Sequence, residues 1–263
     1  MRVAAASKTS AGLFSTGHTV LRLVAGLAAI AVAWQASVLL FGIRPYYLPK
    51  LSVVLDAIAS TPAAYAASVA RTAAETLLGY VTGAAFGVLL GSVFFHHKVL
   101  KDTLFPMFVV SQTIPVIAFG AVVVLWFGNT LFAKAVMAFY LTFFPVTVNT
   151  LLGLQSVDPA QEALMKSFGA PHRQLFWKLQ FPNALPQIFV ALRLATSLSL
   201  VGAMVGEWFG DTTGLGVLLL QATYNENVVG IWAALLVASA LGTLFYASVA
   251  GIERKVVFWR AEQ

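Results

Sequence analysis

Six stretches of this chain, approximately residues 20–42, 72–95, 104–127, 131–152, 185–206 and 228–250, each run for about twenty residues with almost no charge. A helix rises about 1.5 Å per residue, so each stretch can cross the roughly 30 Å of hydrocarbon in a bilayer. Composition agrees: 59% of residues are hydrophobic and 10% charged, against about 45–50% and about 25% in soluble domains. So few charges cannot cover a water-exposed surface. A soluble enzyme is excluded, and an all-α integral membrane protein with six transmembrane helices is expected.

The net charge is +6. The basic residues sit between the apolar runs rather than on one amphipathic face, which is the mark of membrane topology and not of nucleic-acid binding. Ten of the sixteen (Arg2, Lys8, Lys98, Lys101, Lys166, Arg173, Lys178, Arg254, Lys255, Arg260) fall on the side shared by both termini. Arg44, Lys50, Arg71 and Lys134 fall on the other, while Arg22 and Arg193 lie near span ends on the first. This bias places both termini and the loop 153–184 in the cytosol. The chain then divides into a tail 1–19, a membrane domain 20–252 and a tail 253–263. Ala31-Val32-Ala33 resembles a signal-peptidase site, but the apolar run continues to Gly42 and reads as a first span. Cysteine is absent, which excludes disulfides and thiolate sites.

Gly79, Gly83, Gly87 and Gly91 recur every four residues in the second span and form a smooth face for close helix packing. Arg71 and Glu75 extend that face and are spaced to pair, as a local ion pair or as part of a gate. Pro106, Pro115 and Pro145 permit kinks in spans three and four. Gln112 and Asn149 are polar groups at membrane depth, suited to interhelical hydrogen bonds or to a transport path.

The long loop carries the strongest local signals. Asp158 suits an N-cap, Pro159 the first helical position and Gly169 the C-terminal stop. Between them Ala160, Leu164 and Phe168 make an apolar stripe, with Gln161, Glu162 and Lys166 polar. A second short helix is expected over His172 to Phe181, with Leu175, Phe176 and Leu179 on one face and Pro182 ending it. Two such amphipathic turns fit either the lipid surface or a groove on a partner.

The loop resembles the EAA motif of binding-protein-dependent ABC importer permeases: EAA, three residues, Gly, nine residues, Ile-x-Leu-Pro. Gly169 and Leu179-Gln180-Phe181-Pro182 fall in register. Ala163, Leu164 and Met165 stand at the EAA positions, and Glu162 comes one residue early, a rotation of about 100° on a helix. Leu125-Trp126-Phe127-Gly128, Phe144-Pro145 through Asn149-Thr150, Ser156-Val157-Asp158-Pro159, Gly206-Glu207 and Gly214-Leu215-Gly216 look like the nitrate/sulfonate/taurine branch, over about 68–252. Relatives there also import thiamine-pyrimidine precursors and riboflavin.

The resemblance implies a type I ABC importer permease fold with six spans, in a bacterial inner membrane. It implies a non-catalytic transport subunit. No phosphate loop is present, so ATP and magnesium belong to a partner ATPase, and this chain binds no cofactor or metal. Asp158, Pro159, Glu162, Ala163, Leu164, Lys166, Phe168, Gly169 and Arg173 would form the coupling surface for that ATPase. The remaining implied partners are a second permease copy (a homodimer), an extracytoplasmic binding protein and membrane lipid. Gln112, Asn149, Glu207, Gly214 and Gly216 are candidates for the path or an outer gate.

Rival readings are weaker. A secondary transporter or channel would need buried ionisable groups at mid-membrane, where only Arg193 is expected. An intramembrane enzyme would need ligands or a dyad, and His18, His96, His97 and His172 lack the spacing. A passive scaffold would not need kinked, polar-spotted spans. Because Arg71 and Arg193 alone could meet an anion along the path, a neutral or aromatic cargo is favoured.

Overall fold

The structure, a computed structural model, describes residues 10–259, with side chains from Ala25 onward. Among these every regular element is helical. In chain order they are α1 (Ser10–Leu40), α2 (Leu51–Ser60), α3 (Pro62–His96), α4 (Lys98–Ser111), α5 (Val116–Phe127) and α6 (Leu131–Gln155), then α7 (Pro159–Ser167), α8 (His172–Leu175), a π-turn over Phe176–Gln180, α9 (Phe181–Glu207), α10 (Leu215–Tyr224) and α11 (Val228–Val256).

Four continuous helices among the described residues are long and apolar enough to cross a membrane: α3, α6, the run His172–Glu207, and α11. The expected third span is a bent pair, since α4 and α5 meet at 99°. Pro115 has no N–H to continue α4 and pushes Ile114 out of the helical region, so the chain turns there. Hydropathy registers the length of such a segment but not its corner. With α1 these elements account for the six apolar stretches.

The expected stop at Pro182 is corrected. His172–Glu207 is one run of 36 residues. The π-turn just before α9 shifts the hydrogen-bond register, which leaves Pro182 in the first turn of α9, where a missing N–H costs nothing.

The core is the contact of α3, α6 and α9. The glycines of α3 lie on α6. A methyl group at Gly83 would sit 2.8 Å from Thr142 Cβ, one at Gly87 2.8 Å from Val146 Cβ, and one at Gly91 2.7 Å from Thr150 Cβ; Gly79 is closed off by Ala135 and Ala138. Lipid gives helices no hydrophobic reason to associate, so this backbone-close packing supplies the attraction. Gly153 and Gly202 do the same for α6 against α9, facing Ala184 and Met137.

Candidate functional site

Two regions concentrate the functional chemistry, one at each end of the helices. The first is the loop around α7. Asp158 caps it, its carboxylate accepting from the Ala160 N–H at 2.8 Å, and Pro159 follows at the first position. At the far end Gly169 takes φ +75, while Ala170 N–H bonds Met165 C=O at 3.1 Å and Gly169 N–H bonds Lys166 C=O at 2.9 Å. That paired closure needs a left-handed residue, the role glycine fills. Glu162 and Lys166 pair at 2.6 Å along the surface. No residue of α7 is buried. Leu164 is 58% exposed and Phe168 81%, so the apolar stripe has no cover among the described residues. Ala163 and Arg173 are exposed as well.

The second region is the far end of α3, α6 and α9. Glu207 was expected just beyond its span, in a loop. It is instead the last residue of α9 and is turned inward, 1% exposed. Thr72 donates to it at 2.5 Å, and the Gly216 N–H at 2.6 Å. Thr72 in turn accepts from the Leu215 N–H at 2.9 Å. Gly214 and Gly216 are small for this reason: a methyl group at Gly216 would stand 2.8 Å from Glu207 Oε2, and one at Gly214 would meet the same carboxylate. Both glycines thus wrap a carboxylate rather than line an open path.

Beside it lie Arg71, Glu75, Lys134 and Asp211. Arg71 reaches Glu75 at 2.7 Å and Asp211 at 3.5 Å. Lys134, fully buried, pairs with Asp211 at 3.1 Å and also meets Asn129, which bonds the Gly210 carbonyl. Burial pushes the Asp211 carboxyl up, but the Thr212 N–H, Lys134 and Arg71 outweigh it and hold Asp211 below the ordinary aspartate value. The Arg71–Glu75 contact lacks hydrogen-bond alignment, and neither Glu75 oxygen meets a donor among the described residues.

Lys134, Asp211, Thr72 and Asn129 were not singled out in the sequence. Lys134 carried a usable signal: a lysine set inside an apolar span is expensive unless it finds a carboxylate. The remaining path candidates divide. Asn149 accepts from Gln187 at 2.8 Å and donates to the Pro145 carbonyl at 2.8 Å, which ties α6 to α9. Gln112 sits at the α4–α5 corner, its Nε2 without a partner among the described residues. Arg193 pairs with Glu253 at 3.2 Å, linking α9 to α11.

A bundle of kinked, glycine-packed helices long and apolar enough to cross a membrane, with an uncovered, capped helix between α6 and α9, defines a polytopic α-helical membrane protein. Comparison with known proteins makes this specific. Residues 83–258 match the family described as binding-protein-dependent transport system inner membrane component, and the chain belongs to that family. It is 35% identical over 89% of its length to the formylaminopyrimidine transport permease protein ThiX of Halalkalibacterium halodurans, covering 94% of that protein. It is 30% identical over 88% of its length to the riboflavin transport system permease protein RibX of Chloroflexus aurantiacus, covering 87% of it. The taurine transport system permease protein TauC of Escherichia coli is 23% identical over 90% of this chain and 88% of that protein. Among solved structures, a chain of the MetNI methionine ABC transporter superposes with a TM-score of 0.58 at 20% identity, covering 73% of this chain and 94% of that one; it shows the type I importer permease fold. The protein is therefore a permease subunit of an ABC importer, a role that calls for an ATPase and a binding protein as partners.

Proposed function

We propose that this permease receives the force of ATP hydrolysis through α7, seated in a groove of a separate ATPase on the cytosolic side. One observation carries the reading: α7 is closed by caps at both ends, yet Leu164 and Phe168 stand exposed, without a cover among the described residues. A short helix held rigid with its apolar face open is suited to lie in a partner's groove. Asp158, Pro159 and Gly169 set its ends, Leu164, Phe168 and Ala163 would fill the groove, and Glu162, Lys166 and Arg173 would border it. The slipped Glu162 is engaged by Lys166, so any contact to the ATPase would have to displace that pair.

In this reading both termini are cytosolic, the membrane is the bacterial inner membrane, and two copies of the chain stand over two ATPases. An extracytoplasmic binding protein delivers the cargo to the end where Glu207, Gly214 and Gly216 fasten α10, the candidate outer gate. ATP favours one state of the permease only through contacts that differ between states, and α7 supplies them. The favoured cargo is uncharged or aromatic, as in the formylaminopyrimidine and riboflavin relatives. Arg71 and Arg193, the two arginines that could meet an anion, are already engaged by carboxylates.

Because the chain has no cysteine, Phe168→Cys gives a single-thiol protein. It should crosslink to a cysteine in the groove of the ATPase, and Gly169→Val should keep ATP hydrolysis while uptake into vesicles fails. Full uptake by Gly169→Val, or α7 reacting only with lipid probes, would overturn the assignment.

A further inference from the structure

Two grooves flank α11 within the membrane-spanning part. One, against α3, encloses about 400 Å³ and is apolar. Of its three hydroxyls, Tyr80 is turned to the Leu192 carbonyl at 3.1 Å and Ser248 to the Leu244 carbonyl at 2.8 Å, while Thr76 is buried against the core and has no partner among the described residues. The other, between α9 and α11, encloses about 550 Å³, and Ser197, Ser239, Thr243 and Tyr246 line it alongside Met204 and Leu235. None of these four hydroxyls donates a hydrogen bond to a described residue.

Most hydroxyls in the spans behave otherwise, Thr76 and Thr150 being exceptions among the described residues. Thr82, Ser92, Thr142, Thr147, Thr196 and Ser199 all donate to a carbonyl three or four residues back, the usual resting place of a hydroxyl in a membrane helix. A serine or threonine facing acyl chains gains by the same back-bond, since hydrocarbon offers it no partner. Three aliphatic hydroxyls from two helices, held off their own carbonyls, share one concave wall with the Tyr246 phenol and are arranged for a polar occupant. No lysine, arginine, histidine, aspartate or glutamate lines the groove.

We infer that the α9–α11 groove is a contact site for the transported molecule, and that this molecule is uncharged and carries several hydrogen-bonding groups, as a substituted heterocycle does. The inference rests on the permease reading and adds the place and chemistry of the contact. Neutral hydroxyls suit a path: they replace water around a polar solute without the grip of an ion pair, so the solute is stripped of solvent and still leaves.

Single-cysteine variants of this cysteine-free chain test it in the complete transporter, with ATPase and binding protein, in vesicles. Ser239→Cys and Thr243→Cys probe the hydroxyl groove, and Leu244→Cys, on the wall of the apolar groove, is the control. Alkylation requires a thiolate, which forms only where water reaches. Iodoacetamide, neutral, and iodoacetate, anionic, are the probes. Ser239→Cys and Thr243→Cys should react with iodoacetamide on the order of tenfold faster than Leu244→Cys. Iodoacetamide should also outpace iodoacetate by about tenfold once each is normalised to free cysteine, because a groove without cations does not repay desolvation of a carboxylate.

Rates equal to the Leu244→Cys control would mean the groove faces lipid, and a disulfide between copies at position 239 would mean a second permease covers it. Either result overturns the site. Iodoacetate reacting as fast as iodoacetamide overturns the chemical class. Stimulation of ATP hydrolysis by loaded binding protein, read in the same vesicles, reports on α7 separately, so failure of the groove and failure of the coupling reading are told apart.

Discussion

The two ends of this permease solve opposite problems. At the end of α3, α6 and α9, three buried charged side chains (Glu75, Lys134 and Glu207) and a buried threonine join the half-exposed Arg71, the partly buried Asp211 and the backbone of α10. At α7 there is no buried residue, one surface ion pair, and an apolar stripe without a cover. The first end is satisfied mostly by the chain's own side chains, and the second, in the proposed coupling role, would be completed by another chain. The contrast teaches where rigidity is built in and where it must be supplied. Helices that pivot on a sealed polar joint can be moved as bodies by force applied at an open one.

The contrast breaks most sharply at Lys134. Its ammonium is fully buried against Asp211. Lys134→Ala strips a partner from a buried charge network and should cost about 3–5 kcal/mol, seen as a large fall in the detergent melting temperature. Lys134→Met combined with Asp211→Asn should recover part of that loss. A melting temperature unchanged in Lys134→Ala would mean that the network holds nothing together.

Next in size is the seam that carries the joint. Gly87→Leu forces a side chain into the space where Val146 Cβ already lies. Relief requires α3 and α6 to separate, at about 1–3 kcal/mol or more. Gly26→Leu, with open space around it, is the control. Equal melting temperatures in the two variants would sink the seam.

How much of this was legible in the sequence follows from how local each signal is. The ends of α7 could be read because an aspartate cap and a glycine stop act within a few residues of themselves. The seam could be read because glycines four apart share a face whatever they pack on. The sealed joint could not, since Thr72 meets Leu215 across 143 positions and nothing in a span's hydropathy says which carboxylate will turn inward. Proline marked a break at residue 115 and not at residue 182. Its effect depends on the backbone register it enters, and the π-turn that resets that register has no clear sequence mark.

A smaller effect comes from acid. Asp211 lies outside the spans, and its folded value is held below the ordinary 3.8 chiefly because the Thr212 N–H, Lys134 and Arg71 outweigh burial. A depressed carboxylate binds its proton less readily folded than unfolded, so its contribution to stability is complete above the unfolded value and is lost as pH falls through the folded one. The melting temperature should therefore decline below about pH 4 in the native protein, and Asp211→Asn should flatten that decline. An identical acid profile in both would remove Asp211 from the joint.

The smallest effect on stability belongs at the other end, and there it separates the two halves of the comparison. Phe168 is 81% exposed, so the isolated permease gains almost nothing from its ring. Phe168→Ser should shift stability by less than about 0.5 kcal/mol, the usual range for a surface change. Groove contacts of a buried aromatic, in contrast, commonly carry 2 kcal/mol or more, roughly. The same substitution should therefore weaken association with the ATPase by on the order of thirtyfold while the melting curve stays put. A variant that melts early would show that α7 is held by its own chain after all. One that melts normally and still binds the ATPase at full strength would move the coupling contact away from Phe168, toward Leu164 or the paired Glu162 and Lys166.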